Sequence, residues 1–470
     1  MNSKLPAKKQ HRGGVGPLAM EDEGGAGGGA LGRALLGGRV GRPRVRRVRA
    51  CDLSLAAFER DFLRPNDCVA VVEGAVAPPP GAPGADEWAA AGLWRDPSSG
   101  GVAIGALLAH FATSPVCATE CPAPGDPEPV GGRRCRILPF SEYAAYWSRH
   151  VEARRHGTPL AEPLLYVQNW HLPSELPPRD GPPFYCVPRW FRNDWLNSFL
   201  DSEREREQER GQEMSGAGAG AEGGGGGGGV GEAGCGGASD YRFVYLGPAG
   251  TSTPLHVDVL HSYSWSVNVV GRKLWRLVPP EWTECLMGPG GELAPALESA
   301  LPGFTRVGEA LPHVVEVIQG VGEAIFVPSG WHHTVLNLED TLSVNHNWLN
   351  SFNCQRAWTV LRADFREACS QIEDCRDLCE SPGEFLALAQ RNLRLNSGIQ
   401  LTMFGRLLAQ AGREARAAVD DGNDSAAHDL SVARRLLGEV LQELAAACPT
   451  GARVSAEVSN LVASLPALSA

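Results

Sequence analysis

The segment Thr253-Pro254-Leu255-His256-Val257-Asp258 puts an imidazole and a carboxylate two residues apart. In an extended strand, residues i and i+2 project to the same face, so His256 and Asp258 can address one point. A His-x-Asp pair is common by chance, and a metal site needs a third ligand. One is available in Pro328-Ser329-Gly330-Trp331-His332-His333, directly after an apolar run at 324–327. The chain between Asp258 and His333 is long enough for a sheet to fold back on itself. Two histidines and one carboxylate are the ligand set that holds non-haem Fe(II) while leaving positions open. Open positions matter where the metal must take both a cosubstrate and dioxygen.

A second chemical signal is Lys273, in Gly271-Arg272-Lys273-Leu274-Trp275, just after the apolar run 265–270. An ammonium in an otherwise apolar strand is costly unless it meets an anion. Lys273 is therefore placed to bind a carboxylate of an organic acid through a charge-assisted hydrogen bond. The competing reading is a strand-end lysine that reaches solvent.

These residues must be positioned by β structure. Between residues 240 and 350 short β-type runs at 265–270, 274–278, 314–318, 324–327 and 342–348 alternate with Pro and Gly punctuation. That spacing predicts an antiparallel sandwich or barrel. Beyond residue 350 the period changes: Trp358, Leu361, Phe365, Ala368 and Ile372 recur every three or four residues, so 351–470 reads as helical. Residues 51–201 mix helical spacing (Leu55, Phe58, Phe62; Phe140, Tyr143, Tyr146, Trp147) with a strand at 164–167.

The chain has 57 Gly and 35 Pro among 470 residues, an excess that a packed core cannot absorb. Much of the Gly lies in two places. Residues 1–50 are basic and Gly/Arg-rich, without periodicity, and are expected to be disordered, with order starting near Leu53. Residues 202–239 include seven consecutive glycines and are expected to be a disordered surface insertion. The basic run 42–49 offers a nuclear address or an RNA-attracting tail. The net charge is −11 overall, and the first 50 residues carry eleven Lys/Arg against three acids, so the remainder is strongly acidic. Direct nucleic-acid binding by an acidic folded body is disfavoured, and a basic protein partner is favoured. No run approaches the length of a membrane span. Thirteen scattered cysteines with no apolar leader ahead of them predict reduced thiols in an intracellular, cytoplasmic setting.

His256-x-Asp258, Lys273 and His333, in this order, resemble the JmjC (jumonji) 2-oxoglutarate oxygenases over about residues 140–353. Further matches are Thr253 three residues before the first histidine, Gly271-x-Lys273, Gly322-Glu323 leading to Phe326-Val327-Pro328, and Asn347 on the last core strand. The resemblance implies a double-stranded β-helix, a jelly-roll of cupin type, with N-terminal α/β elements and a C-terminal helical region. It implies Fe(II) held by His256, Asp258 and His333, with His332 beside the ligand rather than at it. It further implies 2-oxoglutarate as cosubstrate, contacted by Lys273, Thr253 and Asn347, and dioxygen as oxidant. Tyr166 or Tyr245 is a further candidate for the cosubstrate site.

Within the family, Phe191-Arg192-Asn193-Asp194-Trp195-Leu196-Asn197, the stretch from Tyr245 to Leu260, and Trp331–Val335 resemble a branch of protein lysyl hydroxylases. That branch implies hydroxylation of a lysine in the eukaryotic translation-termination release factor. Two alternatives compete: a histone or other protein lysine demethylase using the same oxidant, and a non-catalytic cupin-like binding module. The third reading expects a broken ligand set, and this one is complete. The helices after residue 350 could cap the barrel, hold substrate or form a dimer.

Overall fold

The computed structural model describes residues 44–447 and Ala463, except for 77–87, 124–125, 130–131, 159–161, 177–182, 217–239, 299–300 and 424–425. Among the described residues thirteen strands carry the fold. The first six are β1 (Val45–Arg49), β2 (Val69–Glu73), β3 (Pro115–Cys121), β4 (Cys135–Pro139), β5 (Leu164–Trp170) and β6 (Arg242–Gly247). They are followed by β7 (Ser252–Val257), β8 (Tyr263–Val270), β9 (Lys273–Val278), β10 (Val315–Gln319), β11 (Ala324–Val327), β12 (His332–Asn337) and β13 (Thr341–Trp348). Nine strands form one sheet in the order β1-β2-β11-β8-β13-β6-β5-β3-β4, and four form a second in the order β10-β9-β12-β7. All pairings are antiparallel except β1 with β2. This is the two-sheet jelly-roll that the resemblance implies, and it falls within the antiparallel sandwich or barrel that the short, punctuated strands predict.

The alternation of side chains sorts the strands into three environments. On β2 and β11, Val69, Val71, Ile325 and Val327 join Trp275, Leu277 and Val317 of the small sheet, filling the space between the sheets. Their neighbours Ala70, Val72, Ala324 and Phe326 point the other way, into a large core shared with Trp265, Val267, Val344 and the N-terminal elements. β8 is buried at all eight positions, with Trp265 and Val267 in the outer core and the polar Ser264, Ser266 and Asn268 alternating with them. Phe191 is central to the outer core, stacking on Trp265 and Phe326 and meeting Phe58 edge-on. Helix α1 (Phe140–Arg155) closes that core, and the Tyr143 hydroxyl donates to the carbonyls of Leu165 and Leu246.

A third core is helical. Helices α2 (Trp195–Gly216), α3 (Cys354–Gln371), α4 (Pro382–Ser397), α5 (Leu401–Asp420) and α6 (Ala426–Ala447) supply most of it. Leu260, in the turn after Asp258, is buried in the same cluster. The C-terminal helices are therefore packed directly behind the turn that carries a candidate ligand. Among the described residues no helix is long and apolar enough to cross a membrane.

Three expectations need correction. Order begins before Leu53: the basic run is not a free tail but edge strand β1. Its arginines are ion-paired, Arg44 to Glu281 (2.6 Å), Arg46 to Asp61 (3.4 Å), Arg47 to Glu323 (2.8 Å) and Arg49 to Asp52 (2.6 Å). A run of arginines looks like a solvated tail until acids from distant segments, Glu281 and Glu323 among them, pair with it. Residues 1–43 lie outside the described residues. The supposed insertion 202–239 begins as helix, because α2 continues to Gly216. Ser202 accepts a hydrogen bond from Gln410 of α5 (3.1 Å), and Glu203 is buried beside Arg206 and Arg406. The remaining 217–239, like the Pro-rich stretch 78–83, lie outside the described residues. Finally, the expectation of reduced thiols throughout meets one exception: Cys117 and Cys135, diagonal neighbours across the β3–β4 pairing with Cα atoms 6.1 Å apart, are joined as a disulfide.

Candidate metal centre

Antiparallel pairing of β7 with β12 sets His256 directly opposite His333, and their ring centroids are 4.2 Å apart. Asp258 follows the end of β7. One ligand atom from each of His256, Asp258 and His333 lies within 4.8 Å of the others. The two strands thus converge three donors on one point, which the two-residue spacing of His256 and Asp258 anticipates.

The donors are also oriented. The Nδ1 of His256 faces the Pro254 carbonyl at 2.9 Å, and that of His333 faces the Trp331 carbonyl at 3.2 Å. With Nδ1–H donating to a carbonyl, each Nε2 keeps its lone pair for a cation. Burial, reinforced by the neighbouring His256, pulls the His333 imidazole down to about 4. It is therefore neutral through the physiological range, as a metal ligand must be. Asp258 accepts a hydrogen bond from the Ser264 hydroxyl at 2.7 Å, on Oδ2, which leaves Oδ1 as the freer oxygen.

Asp258 and Ser264 are connected by a strained turn. Leu260 and His261 both have positive φ, 55° and 48°. Left-handed backbone at non-glycine residues costs on the order of 1–3 kcal/mol each, and the surroundings must hold it. Here the Leu260 side chain is clamped in the helical core, and the Ser329 hydroxyl donates to the His261 carbonyl. Removing the Ser264 hydroxyl should loosen Asp258 without touching a ligand. Ser264→Ala is expected to weaken divalent-metal affinity by about 10- to 100-fold, while Ser264→Thr retains most of it. Spectroscopic titration with Co(II) reads this directly.

His332 and His333 are resolved by strand alternation. His333 shares the inward face with Val335 and with Leu277 across the ladder, whereas His332 points outward toward Thr283, 3.5 Å away. Burial pulls His332 down to about 3. His346 is likewise off the site, on the outer face of β13, 3.1 Å from the Tyr185 hydroxyl.

Lys273 opens β9 from a tight turn that only glycine can make. Gly271 has φ +77°, and a Cβ there would lie 2.3 Å from the Asp340 carbonyl oxygen. Lys273 points between the sheets with 2% of its surface exposed. Its ammonium donates to the Ser343 hydroxyl at 2.6 Å and lies 5.6 Å from the Tyr245 ring centre. Among the described residues no carboxylate pairs with it, and burial pulls it down to about 7. Nearby on β13 and β8, the Asn345 Oδ1 and the Ser266 hydroxyl are buried without a hydrogen-bond partner. A buried cation with no counter-ion, beside orphaned polar atoms, is a site built for an anionic ligand.

The other sequence candidates fall around this site. The Thr253 hydroxyl accepts from the Gln168 amide at 3.0 Å. The Asn347 amide donates to the Ser262 hydroxyl at 3.1 Å. Asn345, two residues earlier and within 3.4 Å of Ser343, sits closer to Lys273's partner. Ser264, Ser343 and Asn345 were missed in the sequence, because short polar residues in a strand carry no pattern; only the register across β8, β13 and β6 reveals their shared inward face. The 191–197 motif proves architectural. Asp194 caps α2 through the Asn197 backbone N–H, and Asn197 donates to the Asn347 carbonyl and accepts from the Tyr241 N–H.

Two imidazoles and a carboxylate converge inside a jelly-roll whose interior also holds a buried lysine, the arrangement of a metal centre in a cupin-type fold. Residues 154–354 match the family described as "Cupin-like domain". The chain is 32% identical over 369 residues to the Arginine-specific demethylase JMJ20 of Arabidopsis thaliana, covering 77% of this chain and 68% of that protein. It is 34% identical over 280 residues to the 2-oxoglutarate and iron-dependent oxygenase JMJD4 of Danio rerio (58% of this chain, 56% of that protein). It is 33% identical over 274 residues to the protein of that name in Homo sapiens (58% and 56%). The chain belongs to the JmjC family of 2-oxoglutarate and iron-dependent oxygenases, and it spans about half the length of these JMJD4 relatives.

Proposed function

We propose that this chain is a protein lysyl hydroxylase acting on a lysine of the eukaryotic translation-termination release factor, and that it thereby promotes termination. The observation that carries the oxygenase chemistry is the preoriented His256, Asp258, His333 set facing the same interior as Lys273. In this reading His256 and His333, through Nε2, and Asp258 hold Fe(II). Bound iron supplies the redox chemistry that couples decarboxylation of 2-oxoglutarate to insertion of one oxygen atom of dioxygen into a C–H bond. Lys273 binds the far carboxylate of 2-oxoglutarate, with Ser343 and Asn345 beside it and Thr253 and Asn347 flanking the approach. Ser264 orients Asp258. The apolar packing of Trp275, Leu277 and Val335 keeps bulk water from the centre. The acidic body suits a basic substrate segment.

A second reading has its own support: JMJ20, whose name states arginine demethylation, shares 32% identity over 68% of its length. One experiment separates them. The Fe(II)-loaded protein is given 2-oxoglutarate and either a lysine-bearing release-factor peptide or a methylarginine peptide, and products are weighed by mass spectrometry. Gain of one oxygen atom on the lysine peptide is the expected result. Loss of a methylene with release of formaldehyde from the second peptide, and no change in the first, replaces the hydroxylase with the demethylase.

A further inference from the structure

Strands β5 and β6 fall out of step by one residue beside the site. Val167 pairs with Leu246 and Trp170 with Val244, so Gln168 and Asn169 together stand opposite the single Tyr245. Asn169 takes a left-handed backbone, φ 55°, a conformation that its surroundings must hold. In a regular strand neighbouring side chains point to opposite faces. Here both amides engage residues around the site. Gln168 donates to the Thr253 hydroxyl at 3.0 Å, and the Asn169 Oδ1 accepts from the Tyr245 hydroxyl at 2.8 Å.

Tyr245 lies across the β13–β6 ladder from Ser343, the acceptor of the Lys273 ammonium. Its ring centre is 5.6 Å from that ammonium and 6.0 Å from the ring of Tyr166. Tyr166 is in turn seated on Gly247, where a Cβ would collide with its ring. Burial, with the Tyr166 phenol and the Asp258 carboxylate, raises the Tyr245 phenol, so it stays protonated and keeps donating to Asn169. The Tyr245 ring is therefore fixed at both ends, by the sheet at its backbone and by Asn169 at its hydroxyl. We infer that Tyr245 is the wall that sets the length of the dicarboxylate accepted beside Lys273, and that Asn169 is the positioning residue that holds this wall in place. The inference rests on the reading of Lys273 as anchor of the far carboxylate of the cosubstrate. It adds the group that measures the guest: a 2-oxo diacid one methylene longer needs room that the braced ring occupies.

The test is calorimetric titration of the Co(II)-loaded protein, without dioxygen, with 2-oxoglutarate and with 2-oxoadipate, which is longer by one methylene. Wild type is expected to prefer 2-oxoglutarate by about 10- to 100-fold. Tyr245→Leu opens the wall and is expected to lower that preference about tenfold, chiefly through tighter binding of 2-oxoadipate. Tyr245→Phe keeps the ring and loses the brace. Asn169→Gly loses the brace without straining the left-handed backbone. Each of these two is expected to lower the preference roughly threefold, as loss of one hydrogen bond does. The double variant should lower it no further, because both changes remove the same interaction. Thermal unfolding shows that each variant is folded, and damage that is merely structural weakens both acids alike and leaves the ratio unmoved. A wild type without the preference, an unchanged ratio in Tyr245→Leu or Tyr245→Phe with 2-oxoglutarate still bound, or additive effects in the double variant overturns the inference while Lys273 keeps its role. A wild type that binds neither acid overturns the reading of Lys273 and this inference with it.

Discussion

Asp258→Ala is expected to abolish divalent-metal binding at the centre and 2-oxoglutarate turnover with it. The carboxylate is the only anionic donor in the set, so it alone would offset the positive charge of a bound metal. Its loss also leaves the Ser264 hydroxyl without its acceptor. Fold stability should change little. The residue follows a strand rather than filling a core, and the turn beyond it is held by Leu260 and Ser329, not by the carboxylate. Two measurements are needed together: Co(II) titration of the purified variant, and release of carbon dioxide from 2-oxoglutarate with Fe(II) present. A folded variant with wild-type turnover removes Asp258 from the metal centre.

Lys273→Met is expected to raise the KM for 2-oxoglutarate by about 100-fold, from the loss of a charge-assisted bond in a buried site. The effect on the unliganded protein has the opposite sign. The ammonium is buried with only a neutral hydroxyl as partner, so an apolar side chain of similar length removes an uncompensated charge. The variant should therefore unfold at a higher temperature than wild type near pH 6, where the buried lysine is charged.

The pH dependence follows from the same burial. The folded value falls to about 7, well below the ordinary lysine range that the unfolded chain keeps. Between these two values the unfolded state binds more protons, so this group's contribution to stability rises with pH above about 7. A ligand carboxylate needs the ammonium, so binding above pH 7 takes up a proton, and 2-oxoglutarate affinity falls as pH rises. Calorimetry in two buffers of different ionisation enthalpy measures that proton. Equal pH profiles for wild type and Lys273→Met remove Lys273 from the cosubstrate site.

The chain states its chemistry locally. His256 and Asp258 share a face because a strand has period two, and Lys273 is conspicuous because an apolar run tolerates an ammonium only for a reason. An antiparallel sandwich or barrel was legible in short punctuated strands, and the helical C-terminus in its three-to-four-residue period. These are nearest-neighbour properties, and a single sequence suffices to show them. Other features depend on partners far away in the chain. Whether Arg44 to Arg49 is a tail or a strand turns on Glu281, Glu73 and Glu323, none of which is near in sequence. Ser264, Ser343 and Asn345 become site residues only through the register of β8, β13 and β6. The choice between His332 and His333 could be inferred from family resemblance, but its cause is which face of β12 looks inward. The sequence alone decided which side chains could do chemistry. Tertiary structure decided which of them meet, because burial and ion pairing are properties of residues brought together, and spacing along the chain does not contain them.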